Sequence, residues 1–246
     1  MTEATASNET KTAHVVIEHI RVLIVAGIAV GAILVGVGSR LAMFLLRISS
    51  PDSVRGVTSD DGFIIGRVTL VGTYNLLLLG AAVGVIGAGA YRLVAPWLIG
   101  PGWFRRFTTG AASAAVAGSM LLHADGVDFT LLKPTWLAIG LFIVLPGLFG
   151  AVIGMVVDRV ARPDSWTANG RRRWALPLLL IICFPLTLPF IGVAAAVVLT
   201  FAAARRSAPL QHLRATLGYG LVVRSIWLLI AFAGLAAVIN DARAIA

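Results

Sequence analysis

Ser59-Asp60-Asp61-Gly62-Phe63-Ile64-Ile65-Gly66-Arg67, followed by Val68 to Ala90 (VTLVGTYNLLLLGAAVGVIGAGA), is the stretch that decides how this chain is read. A polar, acidic turn feeds a glycine-rich run that carries no charge. As a helix that run is about 35 Å long, enough to cross a hydrocarbon core of about 30 Å. The same arrangement recurs in the other direction at His123-Ala124-Asp125-Gly126-Val127-Asp128-Phe129, where an apolar run ends on an acidic Asp-Gly turn.

Composition extends that reading to the whole chain. Hydrophobic residues make up 59% and charged residues 13% of 246 residues, and the mean hydropathy is +0.93. A soluble domain carries about a quarter charged residues, so the balance is that of an integral membrane protein. The apolar residues come in unbroken runs and do not alternate, which favours helices over a transmembrane barrel. The net charge of +9 would point to nucleic acid in a soluble protein. Here the arginines flank apolar runs, where they orient helices and meet lipid headgroups, so the expected partner is the bilayer and not nucleic acid. The single cysteine, Cys183, permits neither an intrachain disulfide nor a CxxC site.

The expected fold is an all-α transmembrane helix bundle with a small outer cap. Residues 1–20 read as a polar N-terminal tail and lead-in, and 21–246 as one helical domain. Its segments fall at about 21–46, 68–92, 107–122, 135–157, 174–186, 189–204 and 217–239. Gly27/Gly31 and Gly150/Gly154 are small pairs spaced for close helix contact. The third segment, rich in alanine, glycine and serine, is expected in the bundle interior. Asn75 is expected to find a partner across the bundle, and Pro146 lies inside its helix, where a proline can kink the helix and neighbours can satisfy the freed carbonyl. Val54 to Thr58 and Phe63 to Arg67 flank the Asp-Asp-Gly turn as the arms of a β-hairpin in the cap.

Trp174 to Ala204 admits two readings. As one helix its 31 residues would run about 46 Å, which requires strong tilt. Basic clusters on both sides (Arg171 to Arg173, then Arg205, Arg206 and Arg214) favour a hairpin that turns at Pro185-Leu186-Thr187-Leu188-Pro189. The hairpin gives seven segments and the single helix six. The arginine-rich flanks then place the chain in the plasma membrane with a cytoplasmic N-terminus. The C-terminus lies outside with seven segments and inside with six. Both acidic loops face outward.

The candidate site follows from that topology. Asp60, Asp61, His123, Asp125 and Asp128 share the outer face, with Arg40 and Lys133 within reach, as a polar cluster suited to a cation or a cationic substrate. The plainer alternative is a pair of solvated Asp-Gly turns. Arg40 interrupts an apolar run. It either snorkels to the interface or pairs with one of these carboxylates to fix the cap. Catalytic chemistry has little to stand on. The span interiors, as bounded above, hold no Asp or Glu and no deep histidine, and the chain has no HExxH and no P-loop. No metal site, haem site or other cofactor is expected.

The outer motifs SDDGFIIGRVTLVGTYNLLLLGAAVG and HADGVDFTLLKPTWLAIGLF resemble those of a group of uncharacterised multi-pass membrane proteins common in actinobacteria. The resemblance spans roughly Arg21 to Val160. It implies a membrane protein and brings no activity, cofactor or site residue with it. The expected role is a structural or accessory membrane component that packs with itself or a membrane partner through its glycine-rich faces. The alternative is a transporter or channel for a small solute, ion or lipid with an acidic outer vestibule.

Overall fold

A computed structural model of the chain describes residues 14–54, 56–58, 62, 68–98, 100–122, 126, 129, 131–168, 174–204 and 217–245. Seven helices account for most of them: α1 (His14–Ser49), α2 (Leu70–Val94), α3 (Gly102–Leu121), α4 (Thr135–Val160), α5 (Ala175–Cys183), α6 (Leu188–Ala204) and α7 (Leu217–Ile245). Five are long and apolar enough to cross a membrane: α1, α2 with its 3₁₀ extension Ala95–Trp97, α4, α6 with its 3₁₀ lead Pro185–Thr187, and α7. The polar lead-in expected before Arg21 is, from His14 onward, the first two turns of α1. Residues 1–13 lie outside the described residues.

Local chemistry sets the ends. Thr69 is extended (φ −121°, ψ 150°) and its Oγ1 accepts the Gly72 amide at 3.0 Å, capping α2. Phe184 leaves the helical region (φ −131°, ψ 60°) just before Pro185, as the residue preceding a proline is pushed to do, and this ends α5. α4 runs unbroken from Thr135 to Val160 with Pro146 inside it.

The centre of the bundle is the α1–α2 crossing, where two backbones touch. A Cβ on Gly31 would stand 2.6 Å from Gly84 Cα, and one on Gly80 would stand 2.6 Å from Gly36 N. α1 is π-helical over Leu23–Ile28 and Gly31–Val37. The wider i→i+5 turn brings Gly27, Gly31 and Gly36, spaced by four and then five, onto one face against the regularly spaced Gly80 and Gly84. α4 packs against this pair, α3 lies on α4, α7 lies on α3, α5 packs on α1, and α6 packs on α2 and α1.

α3 is therefore an intermediate layer and not the interior helix its composition predicts. Its small residues do make close contacts, Gly110 to the Gly147 carbonyl and Ala115 to Gly234 of α7. Only Gly110, Ala115 and Gly118 are buried, and Trp103, Phe107 and Met120 are exposed. Asn75 is also exposed. The cross-bundle bond is made by its neighbour Tyr74, whose hydroxyl donates to the Cys183 carbonyl at 2.8 Å while the ring stacks on Phe184 at 6.5 Å.

The 174–204 segment reverses. Leu176 packs against the cluster that holds Val22, Tyr91 and Val160, Phe184 lies on Tyr74 near the start of α2, and Phe201 returns to Trp97 near its end. The arms are unequal. The nine residues of α5 span about 13.5 Å, under half a hydrocarbon core. α7 runs parallel to α3, with Gly234 at Ala115 and Val238 at Gly118. Its end joins a cluster of Leu46, Leu122, Phe129 and Ala138 at the pole opposite His14.

At that pole Ser50 joins the loop after α1 to the loop before α4: its Oγ donates to the Lys133 carbonyl at 3.0 Å and accepts the Lys133 amide at 2.9 Å. Arg47 pairs with Asp52 at 2.9 Å. Of the first arm of the expected β-hairpin, Val54 closes a 3₁₀ turn, Asp52–Val54, Gly56 follows at φ +85°, and Thr58 forms an isolated β-bridge. A 3₁₀ turn forms there because the Val54 amide reaches back to the Pro51 carbonyl. The second arm, residues 63–67, lies outside the described residues.

Candidate functional site

Of the predicted outer cluster, Asp60, Asp61, His123, Asp125 and Asp128 lie outside the described residues, and Arg40 is half-buried on α1. The structure does bring the two loops that carry these residues together, at Ser50, Val54, Lys133 and Phe129. The richer polar assembly among the described residues lies at the other pole, where α1 begins and α2, α4 and α6 end.

Three helices meet there on one carboxylate. Tyr91, in the last turn of α2, donates its hydroxyl to Asp158 Oδ2 at 2.9 Å, and Arg105, in the first turn of α3, donates to the same oxygen. Gly154 makes room for this. It lies one turn before Asp158 on the same face of α4, and a Cβ there would stand 2.6 Å from the Tyr91 ring. The aromatic ring therefore enters the α2–α4 interface, and its hydroxyl reaches the acid at the rim.

Beside this tie, His19 of α1 meets Arg92 of α2. His19 Nδ1 lies 2.8 Å from the Val15 carbonyl, which can only accept, so Nδ1 carries the proton. Nε2 then accepts from Arg92 Nη2 at 3.1 Å, and the ring is the neutral tautomer. Among the described residues, His19 is the hydrogen-bond partner of Arg92, and Arg92 forms no ion pair. Between these groups and α6 lies a cavity of about 320 Å³, walled on its apolar side by Val157, Val198 and Phe201.

Arg21, two residues after His19, is 8% exposed. Its guanidinium donates to the Thr167 carbonyl at 2.9 Å and the Val160 carbonyl at 3.4 Å. It pins the turn after α4 beneath α1. A buried cation of this kind is tolerated because backbone carbonyl dipoles replace part of its lost hydration.

The sequence carries a signal for these groups. Gly150, Gly154 and Asp158 are spaced by four, as are Gly84 and Ala88, with Tyr91 three further on, so each small-residue face extends into the last turn. Placing the end of the fourth span at 157 left its only carboxylate outside. Among the described residues no three His, Cys, Asp or Glu side chains come together in a way that could hold a metal ion.

Fold and site together define an all-α protein with five helices able to cross a membrane by length and composition, tied at one pole by a Tyr–Asp–Arg link and at the other by a loop clasp. No family model, curated protein or solved structure matches the chain.

Proposed function

We propose that this is a multi-pass plasma-membrane protein with a cytoplasmic N-terminus, acting as a non-enzymatic structural or accessory component. The observation that carries the role is how its polar and small residues are used. The described Tyr, Asp and Arg contacts at the span ends tie helix to helix, and the glycine faces of α1, α2 and α4 are mated within the chain. That arrangement favours one rigid packing over the two packings an alternating carrier requires. α7 supplies the surface for association, since 11% of its most apolar stretch is buried. The likeness of the outer loop motifs to actinobacterial multi-pass proteins belongs with this reading.

Native mass spectrometry of the protein gently extracted from its own membrane tests the role. A discrete complex with a second polypeptide or a second copy is expected. A lone chain carrying a small solute would sink the accessory reading and favour the rival, a transporter, to which the 320 Å³ cavity lends its weight.

For topology we propose seven segments, α5 entering partway and α6 completing the return, with the arginine-rich pole inside. Arg21, Arg92, Arg105, Arg106, Arg159 and Arg162 cluster toward that pole, the pattern of a cytoplasmic face. In a Cys183→Ser background, Ala244→Cys near the end of α7 is expected to react with an impermeant thiol reagent in intact cells. Labelling only after lysis would return the count to six.

A further inference from the structure

We propose that the cavity at the arginine-rich pole is a binding site for a phosphate-bearing anion, supplied by an anionic phospholipid headgroup. The inference rests on the membrane reading above and does not depend on the accessory role.

The chemistry begins with Arg92. A guanidinium carries five N–H donors in a rigid fork that matches two phosphate oxygens. His19 takes one of them at 3.1 Å, through a neutral ring nitrogen that leaves the cation's charge in place. The two carboxylates near it, Glu18 and Asp158, act on Arg92 through space and not by contact. Asp158 already receives Arg105 and the Tyr91 hydroxyl, so its charge is committed to that tie. The half-buried Arg92 therefore lines a cavity with donors to spare.

The shape favours a lipid. One side of the cavity is polar, with His19, Arg92, Tyr91 and Asp158, and the other is the apolar wall of Val198 and Phe201 on α6. A headgroup phosphate on the polar side would leave its acyl chains running down α6. The depth also fits. Trp97 packs edge-on against Phe201 at 5.5 Å, and tryptophan at a helix end marks the headgroup level. Arg92 lies five residues deeper, about 7.5 Å, where a phosphate replaces the water its guanidinium would otherwise seek. Basic pockets between helices on the cytoplasmic side bind anionic headgroups on the same physical terms.

The test uses the full chain in nanodiscs of phosphatidylcholine with a minor fraction of phosphatidylglycerol, read by native mass spectrometry after gentle release. The parent is expected to retain phosphatidylglycerol in preference to phosphatidylcholine. Arg92→Gln is expected to lower that retention about tenfold, the scale of one lost charge-assisted hydrogen bond. Arg224→Gln, on the exposed face of α7, is expected to leave it unchanged. Ala202→Trp fills the cavity while keeping Arg92 and His19, and is expected to lower retention as much. It decides the matter if Arg92→Gln fails to fold. Equal retention of the two lipids by the parent, or parental retention in Ala202→Trp, overturns the proposal. In a parallel arm without phosphatidylglycerol, a thermal shift on adding inorganic phosphate that Ala202→Trp abolishes would keep the anion site and make its ligand soluble. A chain that does not enter the nanodisc at all would defeat the membrane reading instead.

Discussion

Gly84→Leu is expected to abolish the folded protein. A Cβ at position 84 would meet Gly31 Cα at 2.6 Å and Gly31 N at 2.8 Å, besides the Gly27 carbonyl. All three obstacles are backbone, so no side-chain rotation relieves the clash, and the helices must part. Parting them strips the packing from Ile24, Ile28, Ala81 and Val85, which are buried at this crossing. Overpacking a core costs about 1–3 kcal/mol where side chains can adjust, and more where backbone must move. In a bilayer, close van der Waals contact is also the main attraction between helices. We expect Gly84→Leu to leave no monodisperse peak in size-exclusion chromatography and Gly84→Ala to lower the melting temperature clearly. Gly192→Ala, which meets nothing within 4 Å, should be neutral or slightly stabilising through helix propensity. A Gly84→Leu protein as stable as the parent would mean that α1 and α2 do not cross here.

That crossing was half legible in the sequence. The pairs Gly27/Gly31 and Gly80/Gly84 announce it because four residues return a straight helix to the same face. Gly36 does not fit that spacing, and it faces Leu77 and Gly80 only because α1 is π-helical there. A change of helical register leaves no mark in composition. The arginines are legible in the same partial way. Arg40 stands out in the sequence by interrupting an apolar run, whereas Arg21, at the edge of a span, carries no such mark. It is buried because residues 160 and 167, far along the chain, fold over it. The small residues of α3 foretold close contact but not the number of layers outside it. In 174–204 the turn falls at Pro185–Thr187, among the prolines. The unequal arms follow from where the turn begins: Pro185 forces Phe184 out of the helix nine residues after α5 starts. The outer acidic residues remain an expectation, since the loops that carry them meet through Ser50 and Lys133 while the acids themselves lie outside the described residues.

Asp158→Asn is expected to destabilise the pole where α2, α3 and α4 join, without unfolding the chain. Asparagine keeps an oxygen for the Tyr91 hydroxyl and nearly the same shape, so the change removes chiefly the charge that Arg105 meets. Arg105 and Asp158 side chains are 35% and 37% exposed, so the loss must be discounted for screening. We expect about 1–2 kcal/mol, below the 3–5 kcal/mol of a fully buried pair. Because the two residues act as one tie, Arg105→Gln in the Asp158→Asn background should add little. Calorimetry should show a coupling of about 1 kcal/mol between them. Asp164→Asn, on the exposed turn after α4, should change nothing. Additive losses at 105 and 158 would show that the contact does not hold the helices. The same variant separates stability from binding at the neighbouring cavity. Removing the Asp158 charge releases Arg105 and makes the surroundings of Arg92 more positive. Retention of an anionic headgroup should therefore hold or rise even as the melting temperature falls. A cavity that merely collapses with the helix ends would instead lose both together.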